Sequence, residues 1–132
     1  MRVVFNTNIY ISAFITPGGR GVAAYLKAVN REVELFTSVP ILTELAGKLR
    51  GKFHWEDEQI TSAVRHVAAA ATVVKPVERL AVLADEPDNR ILECAREAQA
   101  ELIVTGDRHL LELVRYEGTD IVSLAAFLGG SR

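Results

Sequence analysis

The sequence predicts an α/β protein whose mainly parallel sheet is covered by helices on both faces. Three observations carry that reading. Short apolar runs alternate with segments of helical periodicity, the pattern of successive βαβ units. The 132 residues suit a single domain, 1–132, long enough to bury a core without disulfides. Nothing along the chain marks a repeat, a linker or a glycine-rich phosphate loop.

The elements follow in order. Val3 to Phe5 reads as a short buried strand, and Asn8 to Phe14 as a helical turn running off it. Thr16-Pro17-Gly18-Gly19 breaks the pattern, after which Val22, Tyr25, Leu26 and Val29 recur at helical spacing and give a helix from about Arg20 to Asn30. Glu34 to Thr37 is a second strand. Ser38 caps a helix that runs to about Arg50, with Pro40 tolerated in its first turn and Gly51 at its end. Ile60, Val64, Val67, Ala68 and Ala71 define an amphipathic helix from Glu56 to Ala71, its three leading acids favourable at the positive end. Thr72 to Lys75, before Pro76, is a third strand, and Leu80 to Leu83 an ambiguous apolar stretch. Asp85-Glu86-Pro87 turns into a helix carrying Ile91, Leu92 and Ala95, with Asp88 at its start. Leu102 to Val104 is a fourth strand, Leu110 to Val114 a short helix, and Asp120 to Val122 a fifth strand. Ser123 caps a final helix that stops at Gly129-Gly130.

Composition narrows the function classes. An apolar fraction of 49% and a charged fraction of 24% are those of a soluble globular protein, with no run long enough to span a bilayer. Met1-Arg2-Val3 does not open a signal peptide, so the expected location is the cytoplasm. The lone Cys94 excludes an internal disulfide and a cysteine metal site, and reads as a core residue. A net charge of −2 gives no global attraction to nucleic acid, so phosphate contacts must come from local cations. The candidates are Lys48, Arg50, Lys52, Arg90 and Arg108, each also readable as a solvated charge. Phe53 and Trp55 read as core or interface anchors before a helix.

Four positions stand where elements change: Asn6, Glu44, Asp88 and Asp107. Asn6 ends the first strand and Asp107 follows the fourth, so both side chains are delivered at carboxyl strand ends, where open α/β sheets bind ligands. Hard oxygen ligands from four separate elements suit Mg²⁺ or Mn²⁺. Taken singly, each has a structural reading: Asp88 and Asp107 as helix N-caps, Glu44 as an exposed helix residue, Asn6 as a turn former. His54, His66 and His109 lack mutual metal-ligand spacing; His109, two positions past Asp107, is the one placed near a pocket.

Four motifs in order then resemble the PIN domain, the nuclease fold of VapC-type toxins of toxin–antitoxin pairs. They are Val3-Val4-Phe5-Asn6-Thr7-Asn8, similar to an apolar strand followed by Asp-Thr-Asn; Thr43-Glu44-Leu45; Asp85-Glu86-Pro87-Asp88-Asn89, similar to Asp-x-x-Asp-Asn; and Val104-Thr105-Gly106-Asp107, similar to Thr-Gly-Asp. The resemblance covers nearly the whole chain. It implies a three-layer α/β/α fold with about five strands, and an acidic pocket that cleaves single-stranded RNA with Mg²⁺ or Mn²⁺. Glu44, Asp88 and Asp107 take the places of metal ligands, Asn6 that of the first aspartate, with Thr7, Asn8 and Thr105 supporting the pocket and Asp85 in an outer shell. It also implies a cognate antitoxin and a homodimer, with apolar residues of the helices from Arg20 to Arg50 as contacts. Asn6 is the departure, because it keeps the size and one oxygen of aspartate without the charge. A rival reading is a catalytically silent module that keeps the fold and binds antitoxin or RNA. A third, a nucleotide-binding or receiver-like domain, lacks the phosphate loop it needs.

Overall fold

A computed structural model describes residues 1–129, so Gly130, expected at the end of the last helix, lies outside the described residues. The chain runs β1 (Arg2–Phe5), α1 (Thr7–Ile15), α2 (Arg20–Val29), β2 (Glu34–Ser38), α3 (Val39–Gly51), α4 (Asp57–Ala70), β3 (Ala71–Val74), α5 (Glu86–Ala98), β4 (Leu102–Val104), α6 (Arg108–Leu113), β5 (Arg115–Tyr116), β6 (Thr119–Val122) and α7 (Leu124–Phe127). The strands form one sheet in the order β3-β2-β1-β4-β6-β5. Every pairing is parallel except β5 with β6. Successive residues of a strand face opposite sides, and Val3, Val4 and Phe5 are all fully buried. Both faces of β1 are therefore covered, as the alternation of strands and helices predicts.

Strand order reverses at β1. Its two neighbours are β2, which follows it, and β4, which comes much later, so the β1–β4 seam is a topological switch point. Phe5 pairs in register with Val104, and the Asn6 N–H donates to the Val104 carbonyl at 2.9 Å. That single bond sets Asn6 beside Thr105 at the carboxyl end of the sheet.

Two differences from the sequence reading have local causes. The sheet gains β5, a two-residue edge strand, because Glu117 and Gly118 both take positive φ and close a tight hairpin onto β6. The helix carrying Asp88 starts earlier than expected, at Glu86. Pro87 is accommodated in its first turn, where a proline's missing N–H removes no helical bond, and Asp85 holds the N-cap position. Asp88 is thus inside the first turn and is not an N-cap. Ser123 caps α7 as expected, its Oγ accepting from the Ala126 N–H, whereas Ser38 stands at the N-cap of α3 without a side-chain cap bond.

The ambiguous stretch Leu80 to Leu83 belongs to an irregular strap between β3 and α5. Its backbone is held by polar side chains one helical turn apart on α5: Val77 N–H donates to Glu97, Leu80 N–H to Glu93 at 2.7 Å, and Val82 and Leu83 N–H to Asn89 Oδ1. Asn89 also donates to the Leu83 carbonyl, and Arg90 to that of Leu80. Cys94 lies fully buried, and burial pushes its thiol up to about 12, which leaves it an inert packing group. Among the described residues no helix is long and apolar enough to cross a membrane.

Candidate active site

The switch point supplies the first part of the site. Asn6 is buried, and its Nδ2 donates to Thr105 Oγ1 at 2.8 Å. The same hydroxyl accepts the Asp107 N–H at 2.9 Å, so Thr105 ties the end of β1 to the loop after β4. Gly106 keeps that loop close to α1: a Cβ there would stand 3.3 Å from Asn8 Nδ2. Thr7 Oγ1 and Asn8 Oδ1 are buried without hydrogen-bond partners.

Asp107 is the N-cap of α6, its Oδ1 accepting from His109 N–H at 2.7 Å and Leu110 N–H at 3.2 Å. The structural reading of Asp107 is therefore correct, and it still leaves the second carboxylate oxygen outside the cap.

The electrostatic centre is Asp88. It is 5% exposed, and its Oδ2 has no partner among the described residues. Burial, and then the carboxylates of Asp107, Asp85 and Glu44, push its carboxyl up from 3.8 to about 6, with His109 pulling it back. Three acids from α3, the start of α5 and the loop after β4 thus act on one buried carboxylate. Asp88, Asp85 and His109 line a cleft of about 440 Å³ with Leu83, Ala84, Glu112 and Leu113. Glu44, half-buried on α3, lines a second cleft of about 490 Å³ on the other side of the α5 amino end.

The donor chemistry fits a hard divalent cation: carboxylates and an amide oxygen, two of them, Asp88 Oδ2 and Asn8 Oδ1, buried with no bond to spend. Among the described residues, however, no three His, Cys, Asp or Glu side chains stand close enough together to hold a metal ion. The acids converge as a field on Asp88 rather than as a closed coordination shell.

The expected RNA-contacting cations divide. Arg90 is a structural residue, which corrects its assignment: its side chain is 11% exposed and bonds to Glu93 at 2.8 Å, Glu86 at 3.2 Å and the Leu80 carbonyl at 3.0 Å. Its sequence signal was visible, since Glu86 and Glu93 flank it at helical i−4 and i+3 spacing. Arg108 is exposed beside Asp107, with one loose contact to Glu112 at 3.7 Å. Lys48, Arg50 and Lys52 lie along α3 and just past its end, roughly 6 to 12 Å beyond Glu44 at 1.5 Å per residue. Arg50 is paired with Asp57 at 2.8 Å. Trp55 is half-buried against Phe14, and Phe53 is exposed. Sequence reasoning missed Arg79, which reaches the Glu44 cleft from the strap.

Comparison with known proteins agrees with this fold. Residues 2–109 match the sequence model of the PIN domain family. An uncharacterized protein of Methanocaldococcus jannaschii is 30% identical over 118 residues, covering 86% of this chain and 75% of its own length. Two solved structures superpose on nearly the whole chain at 16% identity and TM-score 0.65, which is a likeness of fold. One is VapBC2 from Rickettsia felis bound to a DNA fragment from their promoter, matched over 93% of this chain and 98% of the other. The other is VapBC-1 from nontypeable Haemophilus influenzae, matched over 95% and 99%.

Proposed function

The chain belongs to the PIN domain family, and from that premise we propose that it is a metal-dependent endoribonuclease, the toxin half of a toxin–antitoxin pair, weakened by Asn6. The observation that carries this reading is Asp88: a carboxylate with an unpartnered oxygen, pushed up to about 6 by its burial and then by three neighbouring acids. A structural carboxylate would be paired. One awaiting a cation is arranged in this way, since the cation removes both the desolvation and the repulsion.

Glu44, Asp88 and Asp107, which form no closed set of ligands as placed, would have to draw together to hold Mg²⁺ or Mn²⁺, with Asn6 and Asn8 offering amide oxygens and Asp85 adding charge from outside. A bound divalent cation supplies a deprotonated water and a stabilised leaving oxygen for phosphodiester hydrolysis. The chain's own part is positioning: Thr105 fixes residue 6 and the Asp107 loop together, and Asn89 and Arg90 pin the strap that leads into Asp85. Single-stranded or loop RNA is the substrate, because unstacked bases expose the backbone that paired A-form RNA holds in place. The fold likeness to chains of VapBC complexes supports an antitoxin partner. Leu26 and Val29 on α2 and Val39 on α3, all exposed, are apolar contacts available to a homodimer.

The test is Asn6→Asp. In the present geometry Thr105 Oγ1 accepts from Asn6 Nδ2; with aspartate, the Thr105 hydroxyl turns and donates to the carboxylate across the same 2.8 Å, while continuing to accept from Asp107. The substitution therefore adds a charge without changing the shape. A net gain of about 3 kcal/mol, a fraction of the gross Coulomb attraction, corresponds to roughly a hundredfold in metal affinity. Expected are feeble or absent cleavage by the protein with Asn6, and cleavage of a mixed RNA pool by Asn6→Asp that EDTA abolishes. If Asn6→Asp binds Mn²⁺ no better and stays inert on the pool, the silent binding module is the correct reading. That alternative rests on Asn6 alone.

A further inference from the structure

Of the two clefts that adjoin acids of the site, the one beside Glu44 takes no part in the chemistry proposed around Asp88. It lies between the amino ends of α3 and α5, with a volume of about 490 Å³, and Glu44 forms part of its wall. Its apolar surface comes from Val39, Pro40 and Pro87, all exposed, above the buried Ile41. Arg79 and Arg90 stand on its strap side, and they differ. Arg90 has both terminal nitrogens engaged, by Glu93, Glu86 and the Leu80 carbonyl, and only its buried Nε is left without a partner among the described residues. Arg79 is 76% exposed, and its only ion pair among the described residues is a 3.8 Å contact with Glu86. Glu86 is itself already bonded by Arg90 at 3.2 Å. Arg79 can therefore leave Glu86 without stranding it.

Resting on the ribonuclease reading, we propose that this cleft is a subsite for one unstacked nucleotide of the RNA, next to the phosphate that faces Glu44. The base lies on the Val39, Pro40 and Pro87 surface, and Arg79 takes an adjacent phosphate. The charge arrangement selects this occupant, because the cleft joins an apolar surface to one exposed cation, Arg79, that Glu86 holds only loosely. A volume of about 490 Å³ is in the range of small-ligand sites. An α-helix about 10 Å across would fill it with roughly one turn, too little for a helix-in-groove contact with a protein partner.

The experiment measures binding of short single-stranded oligoribonucleotides carrying 2-aminopurine at successive positions, with and without Mn²⁺, so that no cleavage is needed. The parent protein should change the fluorescence most at one position. Arg79→Ala should weaken binding about tenfold and reduce the salt slope by about 0.7, the share of one single-strand phosphate contact. Thr43→Trp, which fills the cleft from an exposed helical position, should abolish the position-specific fluorescence change. Both variants should keep the parent's Mn²⁺ affinity by calorimetry and its circular dichroism. If the parent binds RNA and both variants bind it with unchanged affinity, slope and fluorescence, the subsite is wrong and the ribonuclease reading stands. If the parent binds no single-stranded RNA at all, the ribonuclease reading falls and takes the subsite with it.

Discussion

Helix α5 buries polar groups in two consecutive stretches and treats them in opposite ways. From Asn89 onward the amide and the carboxylate are partnered, with only the Arg90 Nε left over: Asn89 binds the strap backbone through both ends of its amide, and Glu93 accepts from Arg90 and from Leu80 N–H. One residue earlier, Asp88 is as buried as Glu93, yet has an oxygen with no partner and three acids acting on it. Burial alone separates neither pair. Satisfaction does: a polar group that folding has paired builds structure, and one that folding has left unpaired, at a switch point, waits for something from solution. The partnered stretch also serves the unpartnered one, because the strap it holds delivers Asp85 to the helix start.

The largest effect should come from breaking the partnered stretch. Glu93→Ala leaves the Arg90 guanidinium, 11% exposed, without its closest anion and removes the acceptor of Leu80 N–H. Breaking a buried pair from one side costs about 3 to 5 kcal/mol. Urea denaturation should show that loss, with Glu93→Gln recovering part of it by restoring an acceptor. A cost below about 1 kcal/mol would mean that the strap is held by its apolar contacts, and the division of α5 into two stretches would lose its basis.

The second effect has the opposite sign. Folding raises the Asp88 carboxyl from 3.8 to about 6, so the folded chain holds that proton more tightly than the unfolded chain. Its contribution to stability is complete below about pH 3.8 and is lost as pH rises through about 6. At about 1.4 kcal/mol per unit the ceiling is about 3 kcal/mol, which solvent in the open cleft reduces. Asp88→Asn should therefore be more stable than the parent at pH 7, with the advantage shrinking toward pH 4. Thermal melts at both values check it. Mn²⁺ should raise the parent's Tm and have less effect on Asp88→Asn. A variant less stable than the parent at pH 7 would show Asp88 to be an ordinary structural carboxylate.

The same contrast explains what the sequence made legible. Strands β1, β2, β4 and β6 announce themselves because each is a run of apolar residues buried on a parallel sheet, and Asn6 and Asp107 are found because they stand immediately beyond two such runs. Glu44 and Asp88 are recognised from their order in the chain, yet nothing in periodicity says that they act on a common point; that follows from the crossing of α3 and α5. The strap is invisible to periodicity because side chains of another element hold its backbone. Arg90 misleads for the same reason: a cation beside an acid reads as solvated until Glu93, Glu86 and the Leu80 carbonyl are seen around it. Arg79 gives no signal in sequence, since its place at a cleft depends on the path of that strap.

The smallest effect on stability concerns the other arginine next to an acid. Arg108 follows Asp107 as Arg90 follows Asn89, but its side chain is 84% exposed and its contact with Glu112, 65% exposed, is 3.7 Å long. Exposed pairs of this kind contribute between zero and about 1 kcal/mol. Arg108→Ala should leave the denaturation midpoint unchanged within error, where Arg90→Ala, stranding Glu93, should lower it clearly. In RNA binding the order reverses. Loss of Arg108, the exposed cation beside Asp107, should reduce the salt slope by about 0.7. Arg90 has its terminal nitrogens held by Glu86 and Glu93 and its remaining Nε buried away from solvent, so any effect of its loss should track the fraction folded. An Arg108→Ala protein with the parent's salt slope would move the RNA path away from the loop after β4, toward Lys48 and Lys52 at the far end of α3.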